Sequence, residues 1–452
     1  EQAGSAADEH DRERQPGPRD ERCEQAPAAQ VVDGQQRGHG EDPQIGTPGG
    51  ETEAASQVDR AQGALGREAD HGGHGRTRDT PPGLEERDVE REYLGAMPAK
   101  YYTQGNFPAV DNISGAMMTE QILVGRSACQ GCVIACGRVV KLPKDALRRK
   151  GPEHETMVGF GANLLNDNLE SIVDLGELCD HYGMDTISTS NTIGLAFHLY
   201  EKGVITKEDT DGVELKWGDV DAVEELVHLI GKREGIGNLL AQGSKRFAAH
   251  FGVEEEAVQV NGLEVAYHDP RGVSGMALSY ATSPRGACHN NSDYFFVDFG
   301  HSHEELGIEF MSRHAQAEKA ASVAKHQDWR TIDNAVVMCI FANVEAKEKA
   351  ALINAACGLD WTVDDMMKFG ERSWNLKRAI NNRMGLTRDN DKLPKALLTP
   401  YPDGGTNGFV PDIEAMLLAY YRARGWDIDT GKPSREKLSE LGLEAVADDL
   451  WK

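Results

Sequence analysis

The stretch CQGCVIAC, residues 129–136, puts three cysteines within eight residues of a 452-residue chain that has only eight in all. Thiols this close on one short segment can converge on a single metal centre from a loop or from the first turn of a helix. An iron–sulfur cube needs four soft thiolate donors. Cys129, Cys132 and Cys136 supply three, so a fourth must come from elsewhere. Cys179, Cys288, Cys339 and Cys357 are the candidates, and spacing alone does not choose among them. Zinc competes, but its usual pattern is two CxxC-like pairs, and the chain has no second pair. The bland alternative, three unrelated core cysteines, is disfavoured by the clustering.

The formal net charge of −26 argues against a nucleic-acid partner. No apolar run reaches the length of a membrane span. The first residues, EQAGSAADEHDRERQPGPRDERC, lack the apolar core of a secretory signal. A reducing, cytoplasmic setting is therefore expected, where clustered cysteines favour metal or redox chemistry over a disulfide framework.

Composition changes near Tyr93. Residues 1–92 contain no Phe, Trp, Tyr or Met and a single Ile. Such a segment cannot bury enough apolar surface to offset its ordering entropy, so disorder is expected. Arg, Ala, Gly and Pro mixed without repeats are also what a GC-rich gene gives when read out of frame.

From Tyr93 onward the patterning is helical. NLESIVDLGELCDHYG begins at a plausible N-cap, Asn168, and sets Ile172, Leu175, Leu178 and Cys179 on one face, with Gly183 as the stop. DAVEELVHLIGK spaces Val223, Leu226, Val227 and Ile230 at i, i+3, i+4 and i+7. WTVDDMMKFGERSWNLKRAINNRMG has Thr362 as N-cap, Asp365 three residues on and Gly385 as the stop. PDIEAMLLAYYRARGWD carries Ile413, Met416, Leu417, Tyr420 and Tyr421 on one stripe. These stripes read as core. Strong alternating strand signals are few, and there is no internal repeat. The fold class expected is mainly α, two packed helical domains over residues 93–260 and 261–452.

Several ordered motifs in this region resemble the aldehyde:ferredoxin oxidoreductase family of tungsten-pterin enzymes. CQGCVIAC is similar to the family's cluster-binding triplet. GPEHET (151–156) follows at a short distance. CDHYGMDTISTSNTIGLAFHLYEKG (179–203) resembles the first pterin-binding segment. YHDPRGVSGMALSYATSPRGACHN (267–290), NAVVMC (334–339), NRMGLTRDNDKLP (382–394) and AYYRARGWDIDTGKP (419–433) complete the series.

The resemblance implies that Cys339 completes a 4Fe-4S cluster, which leaves Cys179 and Cys357 as small core residues and Cys288 as structural. It also implies a tungsten or molybdenum bis-pterin held near Asp180, Asp185 and Asn334. A pterin edge offers N–H donors that a carboxylate accepts well. The bland reading of Asp180-x-x-Gly183-Met-Asp185 is a helix end followed by the next N-cap; the family context favours a ligand role for Asp180. Aldehyde oxidation needs a base toward water or a hydrate and a donor to the carbonyl oxygen. Glu155 suits the first role and His289 the second, with Glu153 as the close competitor of Glu155. Arg271 and Arg285 are left unassigned. The activity implied is oxidation of a small aldehyde to a carboxylic acid, with ferredoxin as electron acceptor.

The chain also departs from the family pattern. Residues 1–92 do not resemble the family's β-rich N-terminal domain, so part of the cofactor site is expected to be missing. Asn334 stands where an acidic pterin ligand is usual, and Asn291 where a basic residue is common. No convincing Glu-x-x-His for a dimer-bridging metal is found, which leaves a homodimer open. Two other functions compete: an iron–sulfur electron-transfer or assembly module, and a zinc-stabilised helical interaction protein.

Overall fold

A computed structural model of the chain describes residues 93–452. The expectations for residues 1–92 lie outside the described residues. The described part is mainly helical, as the apolar stripes require. The longer helices are α1 (His154–Phe160), α2 (Leu169–Tyr182), α3 (Thr186–Glu201), α4 (Val220–Lys232), α5 (Gly275–Thr282), α6 (Ala320–Val336), α7 (Ala346–Cys357), α8 (Val363–Arg383) and α9 (Ile413–Arg424).

Local chemistry sets their ends. The Asn168 side chain accepts from the Ser171 N–H at the start of α2, and Gly183 closes the helix in the left-handed region at φ 68°. Thr362 and Asp365 form a reciprocal capping box at the start of α8, which satisfies two otherwise orphaned donors. The stripes named from sequence point inward: Val223, Leu226, Val227 and Ile230 of α4 are buried, as are Ile413, Met416, Leu417, Tyr420 and Tyr421 of α9. Helix α3 is buried all round from Thr189 to Leu199, which places it at the centre of the packing.

Helix α6 packs against α8 and α9, and α1 against α3. One continuous apolar core runs through these helices. A small satellite core of Leu438, Leu441, Leu443 and Ala447 sits under the C-terminal helices. Between α6, α8 and α9 the interior is polar and paired. Arg424 Nη1 lies 2.6 Å from Asp328 Oδ1, Tyr420 Oη donates to Gln327 Oε1 at 2.6 Å, and Trp374 Nε1 donates to Tyr420 Oη at 3.0 Å.

Two short antiparallel sheets interrupt the helices. Strands β1 (Leu123–Ser127), β2 (Gly137–Val140) and β3 (Arg149–Lys150) pair in that order, with Arg126 opposite Arg138 and Ser127 opposite Gly137. Strands β4 (Gln259–Val260) and β5 (Leu263–Glu264) form a hairpin whose Asn261–Gly262 turn has φ of 53° and 89°. Both turn residues are left-handed, as a two-residue hairpin requires. Among the described residues no helix is long and apolar enough to cross a membrane.

Arg271 is a fixed structural element. It is 1 % exposed, grips Asp269 through Nε at 2.9 Å and Nη2 at 2.7 Å, and donates to the carbonyls of Ala396, Thr399 and Tyr102. Its guanidinium lies 3.4 Å from the Tyr401 ring centroid. Arg271→Met would leave a buried carboxylate with a tyrosine hydroxyl but no cation. We expect a loss of about 3–5 kcal/mol, read as a lowered urea midpoint at unchanged m-value.

Candidate active site

The cysteine triplet lies in the loop between β1 and β2. Cys129 and Cys136 are exposed, Cys132 is half-buried, and all three are free thiols. The Cys132 N–H donates to the Cys129 carbonyl at 3.0 Å, a tight turn that Gly131 permits at φ 73°. Arg138 of β2 ties this loop to the segment before α1. Its Nη1 donates to the Cys136 carbonyl at 3.2 Å, its Nε to the Pro152 carbonyl at 3.2 Å, and its Nη2 pairs with Glu153 at 2.6 Å.

Cys339 is exposed, three residues beyond the end of α6. Partial burial pushes the Cys136 thiol up, with the Glu153 carboxylate and Cys339 pushing the same way. A bound cation reverses such mutual opposition between thiolates. Cys129, Cys132, Cys136 and Cys339 are free thiols that are exposed or half-buried, the donor type an iron–sulfur cube takes. Cys179 is fully buried in the core, and burial pushes its thiol up to about 12. Cys288 is buried as well. The reading of Cys357 as a core residue needs correction, because it is exposed. It is the last residue of α7, one turn beyond Ile353, the last buried residue of that helix.

Glu155 sits in the first turn of α1, where the helix dipole favours a carboxylate. Its side chain is 13 % exposed, and Oε1 lies 3.1 Å from His268 Nε2 and 3.8 Å from His289 Nε2. Oε2 accepts from the Tyr267 N–H at 2.8 Å. Burial would raise this carboxyl. The charges of His289 and His268, the hydrogen bond from His268 and the nearby His154 outweigh it and hold the group well below the usual carboxylate range. Glu153, by contrast, is half exposed and engaged by Arg138.

Sequence reasoning missed His154 and His268. Donor atoms of His154, Glu155 and His268 all lie within 4.8 Å of one another. The His268 ring stacks on Phe295, with centroids 3.8 Å apart, and on His154 at 4.8 Å. Both histidines stand inside motifs that sequence reading had singled out, one beside Glu155 and one at the head of HDPRG.

Asp180 lies in the last turn of α2 and pairs with Lys150 at 3.1 Å. It lines a cleft of about 250 Å³ together with Gly151, Thr156, Gly176 and Thr186. An exposed carboxylate beside small residues fits the edge of a pterin ring. Asp185 is engaged otherwise, as the N-cap of α3 accepting from the Ile187 N–H at 2.9 Å. Asn334 is exposed, and its amide donates to the Arg330 carbonyl one turn back at 3.0 Å. Its neighbour Asp333 is buried and held by Arg330 at 3.1 Å and by Lys349. Arg330 also grips Asp293 through Nε at 2.5 Å and Nη2 at 2.8 Å. This buried charge ladder joins the segment after His289 to the helix before Cys339. Asn291 donates to Ser283 Oγ at 2.7 Å.

A thiol loop and a carboxylate–imidazole cluster stand in one helical frame. The family model described as "Aldehyde ferredoxin oxidoreductase, domains 2 & 3" matches residues 90–443. The chain belongs to this aldehyde ferredoxin oxidoreductase family. It is 38 % identical over 357 residues to the tungsten-containing aldehyde ferredoxin oxidoreductase of Pyrococcus furiosus, and 37 % identical over 356 residues to that of Thermococcus kodakarensis. Each match covers 77 % of this chain and 58 % of the relative, so the chain spans less than two thirds of their length. An aliphatic sulfonate oxidoreductase, WOR-like subunit, of Pyrococcus furiosus is 31 % identical over 337 residues, 69 % of this chain and 49 % of that one. Among solved structures, the active-site complex BamBC of benzoyl coenzyme A reductase with 1,5-dienoyl-CoA superposes with a TM-score of 0.64 at 18 % identity. That match covers 87 % of this chain and 64 % of the other, and speaks to the fold alone.

Proposed function

We propose that this chain serves the oxidation of aldehydes to carboxylic acids in a tungsten-pterin, iron–sulfur enzyme with ferredoxin as electron acceptor. The observation that carries the reading is the largely buried Glu155 carboxylate, with His289 at 3.8 Å and Asp180 in the cleft beside the same helix start. Residues 93–260 hold the cysteine triplet and the Asp180 segment. Residues 261–452 bring His289, Asn334 and Cys339.

Aldehyde plus water gives acid, two protons and two electrons. A tungsten-pterin group, when bound, supplies the two-electron chemistry, and a cube on Cys129, Cys132, Cys136 and Cys339 the one-electron exit. The residues of this chain handle the protons. Glu155 is ionised and tied at Oε2 by the Tyr267 N–H, so Oε1 can accept a proton from water or from the aldehyde hydrate without reorienting. His289 faces the same oxygen and can donate to the carbonyl oxygen as charge develops there. Asp180 accepts N–H donors from the pterin edge, while Asp185 keeps the chain turn in shape.

The test is anaerobic purification with tungstate in the medium, followed by metal analysis and an assay of aldehyde-dependent viologen reduction. Iron, acid-labile sulfide and tungsten with viologen reduction support the reading. Iron without tungsten or turnover would point to an electron-transfer or assembly module. One zinc without iron would point to a zinc-stabilised helical protein.

A further inference from the structure

The reaction proposed above uses one of the two imidazoles that face Glu155. The other is closer. His268 Nε2 lies 3.1 Å from Glu155 Oε1, against 3.8 Å for His289. The His268 ring is 3 % exposed and cannot swing away. It is sandwiched between Phe295, with rings 14° from parallel, and His154, with rings 19° from parallel. Its backbone is tied as well: the His268 carbonyl accepts from Tyr280 Oη at 3.0 Å. The residue before it, Tyr267, donates its own N–H to Glu155 Oε2 at 2.8 Å. Two consecutive residues thus sit against the two oxygens of one carboxylate, Tyr267 through a hydrogen bond to Oε2 and the His268 ring at contact distance from Oε1.

We infer that His268 is a positioning residue that donates from Nε2 to Glu155 Oε1 and, with the Tyr267 N–H, fixes the plane of the carboxylate so that the remaining Oε1 lone pair faces His289. This rests on the reading of Glu155 as the proton acceptor. A carboxylate held at both oxygens loses no time to rotation, and its ionised form is favoured by each donor. Such donation requires a proton on Nε2. The other titratable groups facing Glu155 are His154 on its own helix, His289, and the hydroxyls of Tyr102, Tyr267 and Tyr280. Burial pushes all three tyrosines well up, so they stay neutral.

The first measurement needs neither tungsten nor turnover. Long-range ¹⁵N–¹H spectra of the chain labelled at histidine, with His268 assigned by substitution, are expected to show a proton on Nε2 across neutral pH. A His268 protonated at Nδ1 alone would overturn the inference. The second measurement is ¹³C titration of the Glu155 carboxyl, assigned with Glu155→Gln. His268→Phe keeps the ring stack and removes the donor, so the midpoint should rise by about one unit or more. His268→Gln keeps a donor near the same place, so the midpoint should stay close to that of the unchanged chain. Equal midpoints in all three proteins would contradict the inference.

In the loaded enzyme, kcat should fall about tenfold or more in His268→Phe with KM little changed, and His268→Gln should recover most of it. A purely structural histidine would give two variants that fail alike. If the tautomer and titration behave as stated but aldehydes are not oxidised, the reaction assignment falls and the gripping of Glu155 by His268 stands.

Discussion

Glu155→Gln in the tungsten-loaded enzyme should lower kcat by about 10²- to 10⁴-fold while iron and tungsten contents stay unchanged. Gln is nearly isosteric, and its one carbonyl oxygen can still accept from the Tyr267 N–H, so the helix start and its packing are kept. It cannot take a proton, and that is the one property of Glu155 the proposed reaction uses. The pH dependence follows with a definite sign. The folded-state carboxyl is held below its ordinary value by His289, His268 and the hydrogen bond from His268, against its burial. Such a group adds stability that is present above the ordinary carboxylate range and lost as pH falls through the lower folded value. The base is therefore already ionised near neutrality. Glu155 thus contributes no limb to the rate profile near neutrality, and Glu155→Gln should scale that profile down without changing its shape. A Glu155→Gln enzyme with near-normal kcat would remove Glu155 from the chemistry.

Replacing Cys339 by Ala is expected to abolish the iron–sulfur absorption band and to take bound iron from about four per chain toward zero. The same loss is expected for Cys129, Cys132 or Cys136, since each removes one of four thiolates. Cys179→Ala is the informative control. Its thiol is fully buried among core residues, so the change should cost about 1 kcal/mol and leave the band intact. If Cys339→Ala keeps its iron and Cys179→Ala loses it, the fourth ligand has been misassigned.

The helical frame was legible because its helices announce both face and ends. Asn168, Thr362 and Gly183 are local signals, and each does in the structure what its chemistry suggests. The strands were not legible because they are two to five residues long, too short for alternation to emerge. The cost was real, since the cysteine loop is the β1–β2 connection. At the site, the triplet shows itself by spacing alone. Cys339 does not: four distant cysteines were equivalent until the family resemblance singled it out. Glu153 and Glu155 differ in their tertiary partners, Arg138 for one and the distant Tyr267 and His268 for the other, which the short motif does not show. His154 and His268 were passed over because a single histidine most often reads as a satisfied core group. Only the stacked arrangement with Phe295 and the shared oxygen of Glu155 distinguish them. Asp185 illustrates the converse, since the ordinary N-cap reading of the sequence is what its side chain does.

The central claim is that four cysteines hold an iron–sulfur cube beside a carboxylate–imidazole site that works with tungsten. Anomalous diffraction from crystals of anaerobically purified protein, collected at the iron K edge, the zinc K edge and the tungsten L-III edge, tests it most directly. The expected result is an iron peak enclosed by Cys129, Cys132, Cys136 and Cys339, with a tungsten peak in the space facing Asp180, Glu155 and His289. A single zinc peak at the cysteines, with no iron and no tungsten, would contradict it.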